Sequence, residues 1–363
     1  MKSIYETIDL TAEQILAISE NAPERLFSGD PAIARREYYD LSRRWHPDRN
    51  RDSRATAVFQ RVTELHRRAQ QSIKAGRWRG AGILVLPVPL PGAGAMAGAR
   101  QIKYFKRVEF ELGDLFIAEK EVAFSVERRY ADLFETARRR IEGFRFANAA
   151  MRKEIARALP RRPEFHTAAD RLIMVLPKDP DAILLEDLLE HLGGALDARH
   201  VGWIVNRLYN LACYLDYAGV VHHDIGPRAF FVSPRFHSGA LLGGWWYARA
   251  RGESLKALPR RTIDCAPPDL TRLRRADLRA DLELIRQTGR ELLGAVNTMP
   301  TNMNGKIPPA MARWINGATS GSAVTDYRLW KGVLEMDFGA PRFVRLDVEP
   351  DAIYGKRSRD SLI

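Results

Sequence analysis

The sequence predicts an α+β protein with more than one domain: a helical hairpin at the N-terminus, then a smaller strand-rich region and a larger helical one. Three patterns carry this prediction. Apolar side chains recur every three or four residues on both sides of residues 46–48, short alternating stretches fill residues 104–127, and helical spacing dominates residues 178–350. With 363 residues, 45% of them apolar, the chain is long enough for two or three ordinary cores.

The predicted hairpin flanks the tripeptide His46-Pro47-Asp48. One face of the upstream helix carries four apolar residues: Ala34, Tyr38, Leu41 and Trp45. The downstream helix carries a matching stripe: Phe59, Val62, Leu65, Ala69 and Ile73. Pro47 cannot continue a helix and disfavours helical geometry at His46, so the upstream helix should end near Trp45. Two such helices joined by a short loop pack antiparallel, which exposes His46 and Asp48 at the tip.

A His-Pro-Asp turn between two antiparallel helices resembles the J-domain of DnaJ-like co-chaperones. Five side chains also fall where J-domains keep their core: Tyr38, Leu41, Trp45, Phe59 and Val62. The resemblance implies that the turn stimulates ATP hydrolysis by a DnaK-type heat-shock chaperone, whose acidic surface meets a basic helix face. The residues that it assigns to chaperone binding are His46, Pro47, Asp48, Arg35, Arg36, Arg43 and Arg44. The domain would span residues 1–79, with its first helix either at 12–19 or at 23–27.

Residues 80–99 carry no charge, which meets the length rule for a membrane-spanning helix. However, Pro87, Pro89 and Pro91 would remove helical hydrogen bonds that lipid cannot replace. Residues 80–100 are therefore predicted to be an apolar linker with a short strand at 83–86, and no membrane partner is expected. Residues 1–10 lack the apolar core of a signal peptide, and two cysteines without metal spacing suit a reducing cytosol, so the expected location is cytoplasmic.

Beyond residue 101 the pattern changes from strands to helices. Short strands are predicted at residues 104–110, 114–118, 122–127 and 171–176. Helices are predicted at residues 130–146, 147–159 and 200–217. A small strand-rich lobe at residues 101–177 would then precede a helical lobe at 178–350 and a basic tail at 351–363.

The segment that follows the helix at 200–217 resembles the catalytic loop of protein kinases. His222, Asp224 and Pro227 match the H-R-D-x-K-P-x-x-N pattern of that loop. Residues 266–269 resemble the Ala-Pro-Glu element, and Asp281 falls where kinases have an aspartate that holds the backbone of the catalytic loop. The resemblance implies a two-lobed protein-kinase-like fold over about residues 101–350, with Asp281 in a structural role.

Four positions depart from the kinase pattern at groups that phosphoryl transfer needs. Ser125 stands in place of the strand lysine that contacts phosphate. Gly226, Ala229 and Gly243 replace the loop lysine, the metal-binding asparagine and the metal-binding aspartate. One well-placed electrostatic group is worth ~3–4 kcal/mol of barrier, so losing several together should remove nearly all acceleration. The sequence therefore predicts a pseudokinase without cofactor, in which His222 and Asp224 are remnants and the domain binds a partner or an unknown protein client.

Other functions remain open from the residues alone. A divergent but active Ser/Thr kinase-like phosphotransferase would use other carboxylates for magnesium and would bind ATP. A net charge of +12 and a pI near 9.8 suggest a nucleic-acid-binding accessory protein, but the basic clusters are scattered and no nucleic-acid motif accompanies them. His222, His223 and Asp224 are residue types that bind metals, but adjacent loop side chains seldom converge on one ion, so no metal is expected.

Overall fold

The computed structural model describes residues 10–29, 31–74, 78, 82–89, 96–168, 170–295 and 307–354. The protein is α+β: a helical region opens the chain, and a six-stranded sheet and further helices follow. The chain divides into two compact units. The first comprises Met1–Ser125 with His166–Ile173 and Tyr354–Ile363, and the second comprises Val126–Phe165 with Met174–Ile353.

The helical region begins with helix α1, Ala12–Leu16, and a 3-10 turn at Pro23–Arg25. Both segments that the sequence offered for a first helix are therefore helical. Thr11 caps α1 through a reciprocal pair of hydrogen bonds: its hydroxyl accepts from the N–H of Gln14, and the Gln14 side chain accepts from the N–H of Thr11. The two long helices are α2, Pro31–Arg44, and α3, Ala55–Lys74.

Helices α2 and α3 pack against each other and bury the predicted stripes. Ala34, Leu41 and Trp45 are buried on the first helix, and Val62, Leu65 and Ala69 on the second. Tyr38 and Ile73 are half-buried and pack on the same core. Phe59 is also half-buried, whereas its neighbour Val58, which the pattern missed, is fully buried. The hairpin prediction is confirmed, with the core shifted by one residue at the start of α3.

The sheet contains β1, Gly82–Pro89; β2, Met96–Phe110; β3, Gly113–Ala118; β4, Glu121–Glu127; β5, Glu164–Thr167; and β6, Arg171–Pro177. Its strand order is β1-β2-β3-β4-β6-β5. Strand β1 runs antiparallel to β2, and β2 runs antiparallel to β3. All four predicted strands are present, whereas β5 was not predicted. The sheet curls so that its two outermost strands meet. Nδ1 of His166 on β5 lies 3.2 Å from the carbonyl oxygen of Pro87 on β1.

The predicted linker at residues 80–100 is wrong for residues 82–89 and 96–100, which are paired strands; the strand expected at 83–86 lies within β1. Residues 80, 81 and 90–95 lie outside the described part. The strand tolerates Pro87 because β1 is at the edge of the sheet and the carbonyl oxygen of Pro87 faces His166 and not β2, so the missing N–H removes no bond to β2. Leu86 is fully buried, while Ile83 and Val85 are exposed, as an edge strand with one covered face requires.

The rest of the chain is mostly helical. Its helices are α4, Ala131–Glu142; α5, Ala149–Ile155; α6, Leu185–His191; α7, Ala198–Tyr217; α8, Arg260–Cys265; α9, Pro268–Leu273; α10, Leu278–Leu292; α11, Pro309–Asn316; α12, Ala323–Phe338; and α13, Pro350–Tyr354. Five short strands accompany them: β7, Ile183–Leu184; β8, Val220–Val221; β9, Phe230–Ser233; β10, Ser238–Leu241; and β11, Arg249–Ala250. Helix α7 packs on α10 and α12. Among the described helices, none combines the length and apolarity needed to cross a membrane.

Candidate functional site

The His46-Pro47-Asp48 tripeptide forms a tight turn directly after α2. The carbonyl oxygen of His46 accepts hydrogen bonds from the N–H groups of Arg49 and Asn50, both at 2.9 Å. The Asn50 side chain donates to the carbonyl oxygen of Arg44 at 3.0 Å, which satisfies one of the open carbonyls at the end of the helix. Pro47 and Asp48 are exposed and His46 is half-buried. The turn therefore presents its side chains from a fixed backbone.

The imidazole of His46 is oriented by two contacts. Its ring packs edge-on against Phe59, with 5.6 Å between ring centroids. Its Nδ1 accepts from the N–H of Asp48 at 3.3 Å, so the neutral ring carries its proton on Nε2. The Asp48 carboxylate is 86% exposed and lies 3.7 Å from Nδ1 of His46. This arrangement offers a partner one N–H donor and one carboxylate acceptor side by side.

The exposed side of α2 carries the four arginines that the resemblance assigns to chaperone binding: Arg35, Arg36, Arg43 and Arg44. Arg35 donates to the Tyr39 hydroxyl at 3.3 and 3.4 Å and lies over its ring, so Tyr39, 56% exposed, belongs to the same surface. Glu37 faces inward instead. Its carboxylate accepts from the N–H of Ser28 at 2.7 Å, and burial raises its pKa. The outer face is therefore cationic and aromatic.

The loop at residues 222–224 is held by Asp281 at the start of α10. The two carboxylate oxygens of Asp281 accept from the N–H groups of His222 and His223, each at 2.7 Å. Asp281 is fully buried, and this burial raises its pKa to about 7, against the lowering effect of the two N–H donors. The structure thus contains the backbone contact that the kinase resemblance implied for Asp281.

Both histidines of this loop are buried and neutral. His222 accepts from the N–H of Asp224 through Nδ1 at 3.2 Å, and its Nε2 donates to the carbonyl oxygen of Gly243 at 3.1 Å. Burial lowers the pKa of His222 to about 3 and that of His223 to about 4. Since both ring nitrogens of His222 are engaged by backbone, it has no lone pair for a metal. Within the described residues, no cluster of three or more His, Cys, Asp or Glu side chains could hold an ion.

Gly226, which the kinase resemblance aligns with a loop lysine, lies under the guanidinium of Arg261. A Cβ at Gly226 would stand 2.4 Å from Nη1 of Arg261. That Nη1 donates to the carbonyl oxygen of Ile225 at 2.7 Å, and the same guanidinium pairs with Glu291 at 2.9 Å. Sequence reasoning missed this pair, because residues 30 apart without a shared motif leave no local signal. A lysine side chain at position 226 would have to displace the guanidinium of Arg261.

Ala229 and Gly243, the two other loop positions that depart from the kinase pattern, are joined by a backbone hydrogen bond. The carbonyl oxygen of Ala229 accepts from the N–H groups of Leu242 and Gly243, both at 3.1 Å. Gly244 has φ +79°, and a Cβ there would lie 2.5 Å from Cε1 of His222. The structure therefore brings His222, Ala229 and Gly243 together. Asp224 is half-buried, and its side chain lies close to Gly244.

The predicted remnants of the small lobe lie on the sheet. Ser125 is buried on β4. Gly113 opens β3 directly after the turn that joins it to β2. Asp114, the next residue on β3, is neutralised by a bidentate pair with Arg107, both contacts at 2.8 Å. Outside the sheet, Glu154 on α5 accepts from the side chain of Asn210 at 3.2 Å.

No protein-family model matches the chain, and no curated protein matches it.

Proposed function

We propose that this protein is a J-domain co-chaperone, which recruits a DnaK-type chaperone and stimulates its ATPase. The observation that carries the proposal is the exposed His46-Pro47-Asp48 turn between two packed helices, with its backbone fixed and its histidine oriented by Phe59. A turn that served only to connect the helices would need neither the oriented imidazole nor the exposed carboxylate beside it.

The basic face of α2 supplies attraction at a distance. Complementary charge raises the rate of encounter more than it raises affinity. The arginines of α2 would therefore guide an acidic surface of the chaperone onto the turn, where His46 and Asp48 make the short-range contacts. In this proposal the chaperone is the ATPase, and this chain stimulates it.

The test compares wild-type protein with His46→Gln in a steady-state ATPase assay with a DnaK-type chaperone. We expect wild type to stimulate hydrolysis and His46→Gln to lose at least nine-tenths of that stimulation, because the amide cannot reproduce the imidazole's position and N–H donor. Gln70→Ala, exposed on α3, is the matched control and should stimulate like wild type. No stimulation by wild type, or equal stimulation by His46→Gln, would contradict the proposal.

For residues 101–350 the proposal is a two-lobed protein-kinase-like fold that has lost phosphotransfer and serves as a scaffold for a partner or client. The contact of Asp281 with the loop backbone supports the kinase-like part. The loss of activity is supported by Ser125, Ala229 and Gly243, which offer neither a phosphate-binding cation nor a metal-binding side chain. Arg261, which donates to the carbonyl oxygen of Ile225 in the loop, is neutralised by Glu291.

A thermal-unfolding experiment with ATP and magnesium tests this part. We expect the Tm of the full chain to be the same with ATP and magnesium as with ATP and EDTA, since nothing in the loop would hold the metal. A magnesium-dependent rise in Tm that grows with the logarithm of the ATP–magnesium concentration, as binding at one site requires, favours the divergent phosphotransferase instead. His46→Gln serves as a control, because it should leave either result unchanged.

A further inference from the structure

Tyr39 is an exposed aromatic residue in the middle of the basic face of α2. More than half of its surface is exposed, whereas the preceding Tyr38 packs on the core of the hairpin. Helical spacing places Arg35, Arg36 and Arg43, which are three or four residues away, on the same side of the helix. A partner that approaches these arginines therefore meets the ring of Tyr39 between them.

The ring of Tyr39 is held in place by its neighbours. Nε and Nη2 of Arg35 donate to its hydroxyl oxygen at 3.4 and 3.3 Å. The ring also lies next to that of Tyr38, with 6.0 Å between centroids. Tyr38 stacks on His66 of α3 at 4.2 Å, and His66 packs edge-on against the buried Phe27 at 5.3 Å. A series of four rings thus connects the exposed Tyr39 to the core of the helical region.

An exposed ring with these supports suits tight contact with a partner. A side chain that is already ordered loses little conformational freedom when a partner covers it, so more of the burial contributes to affinity. Tyrosine is also among the residues that supply most of the binding energy near the centre of an interface. Surface charges, by contrast, mainly raise the rate of encounter. The arginines and Tyr39 are therefore suited to successive steps of one binding event.

We infer that Tyr39 is the apolar anchor of the basic face of α2, and that the chaperone surface which receives it has an apolar depression bordered by carboxylates. This role rests on the proposed co-chaperone function and adds a short-range binding residue to it. Covering the ring slows dissociation of the complex. His46 and Asp48 stay in place at the turn, so loss of Tyr39 weakens binding without changing the stimulation that a bound chaperone receives.

The test titrates a DnaK-type chaperone with the full chain and measures steady-state ATP hydrolysis, for wild type and for Tyr39→Ala. We expect Tyr39→Ala to raise the concentration for half-maximal stimulation at least tenfold and to leave the maximal stimulation within twofold of wild type. In stopped-flow measurements its dissociation rate should rise at least tenfold, while its association rate changes less than threefold. Tyr217→Ala, which removes a tyrosine ring of similar exposure from α7, should behave like wild type in both measurements.

Two further measurements separate lost binding from lost folding. Tyr39→Phe keeps the ring but loses the hydroxyl that Arg35 contacts, so its half-maximal concentration should lie between those of wild type and Tyr39→Ala. Because Tyr39 is exposed, Tyr39→Ala should unfold at nearly the same urea concentration as wild type.

The possible failures can be told apart. If wild type stimulates the chaperone through His46 and Tyr39→Ala shows an unchanged half-maximal concentration, the anchor role is overturned and the proposed function stands. A lower maximal stimulation at an unchanged half-maximal concentration would likewise overturn it, because Tyr39 would then act on the stimulation and not on binding. If wild type gives no stimulation, the proposed function and the anchor role are overturned together.

Discussion

At the scale of single residues, the close approach of the Arg261 guanidinium explains why position 226 is a glycine. This guanidinium occupies the space where a side chain would start, and it connects the carbonyl oxygen of Ile225 to Glu291 and to the Thr288 hydroxyl. The loop is thereby held by a structural arginine at the position where the kinase resemblance would place a lysine. The glycine at this position is therefore explained by the packing of Arg261.

Gly226→Ala tests this explanation. The new methyl group would push the guanidinium away from Ile225, and losing a hydrogen bond to a charged group costs ~1.5–3 kcal/mol. We expect the free energy of unfolding in urea to fall by about this amount. In an Arg261→Ala background the same change should cost far less, because the obstruction is gone.

Gly332→Ala is the matched control, since a Cβ at this position on α12 meets no atom within 4 Å. Alanine is the better helix former by up to ~1 kcal/mol, so this variant should be as stable as wild type or more stable. If Gly226→Ala and Gly332→Ala behaved alike, the close approach of Arg261 would have no energetic consequence, and the explanation would fail.

Single residues of the candidate sites differed in how far the sequence could predict them. The exposure of Asp48 followed from its place at the tip of the hairpin, and that of the arginines of α2 followed from helical spacing, because that spacing assigns faces. The partners of buried polar groups did not follow from it. Glu291, which binds Arg261, and Arg107, which binds Asp114, are recognised only when the chain is folded.

At the scale of elements, periodic segments were predicted well and irregular ones were not. The helices at 31–44 and 55–74 have many apolar repeats, which makes their pattern hard to mistake. Strand β1 was mistaken for a linker because its prolines match the composition of a linker. Its own residues do not indicate that it lies at the edge of a sheet. Strands of two residues, such as β7 and β8, are too short to show any period.

Leu86→Ala measures whether β1 is part of the folded core. Leu86 is fully buried, so its truncation should lower the free energy of unfolding by ~2–5 kcal/mol in a denaturant titration. Val85→Ala, one residue away and 55% exposed, should change it by no more than about 0.5 kcal/mol. Equal and small effects would mean that residues 82–89 behave in solution as the linker that their composition suggests.

At the scale of the whole molecule, the excess of positive charge raises the question of which charges matter. The net charge of +12 comes from 57 basic and 45 acidic residues spread over the chain. At physiological ionic strength the screening length is ~8 Å, so a charge acts on an approaching partner only from close by. The proposed co-chaperone should therefore depend on the arginines of α2 and little on the total charge.

Two variants that lose the same charge separate these cases. One replaces Arg35, Arg36, Arg43 and Arg44 by Gln; the other replaces Arg128, Arg129, Arg272 and Arg274, all exposed and distant in sequence. Both have a net charge of +8. In stopped-flow measurements of association with the chaperone, we expect the first variant to associate at least tenfold more slowly and to lose most of its dependence on salt.

The second variant should keep the association rate and the salt dependence of wild type, because its arginines lie on other elements than α2. Equal slowing in both variants would show that total charge drives association, which is the behaviour expected of a general polyanion binder. The salt dependence thus distinguishes a docking face built on one helix from a basic molecule that attracts any acidic partner, and that distinction decides whether α2 and its turn form a specific site.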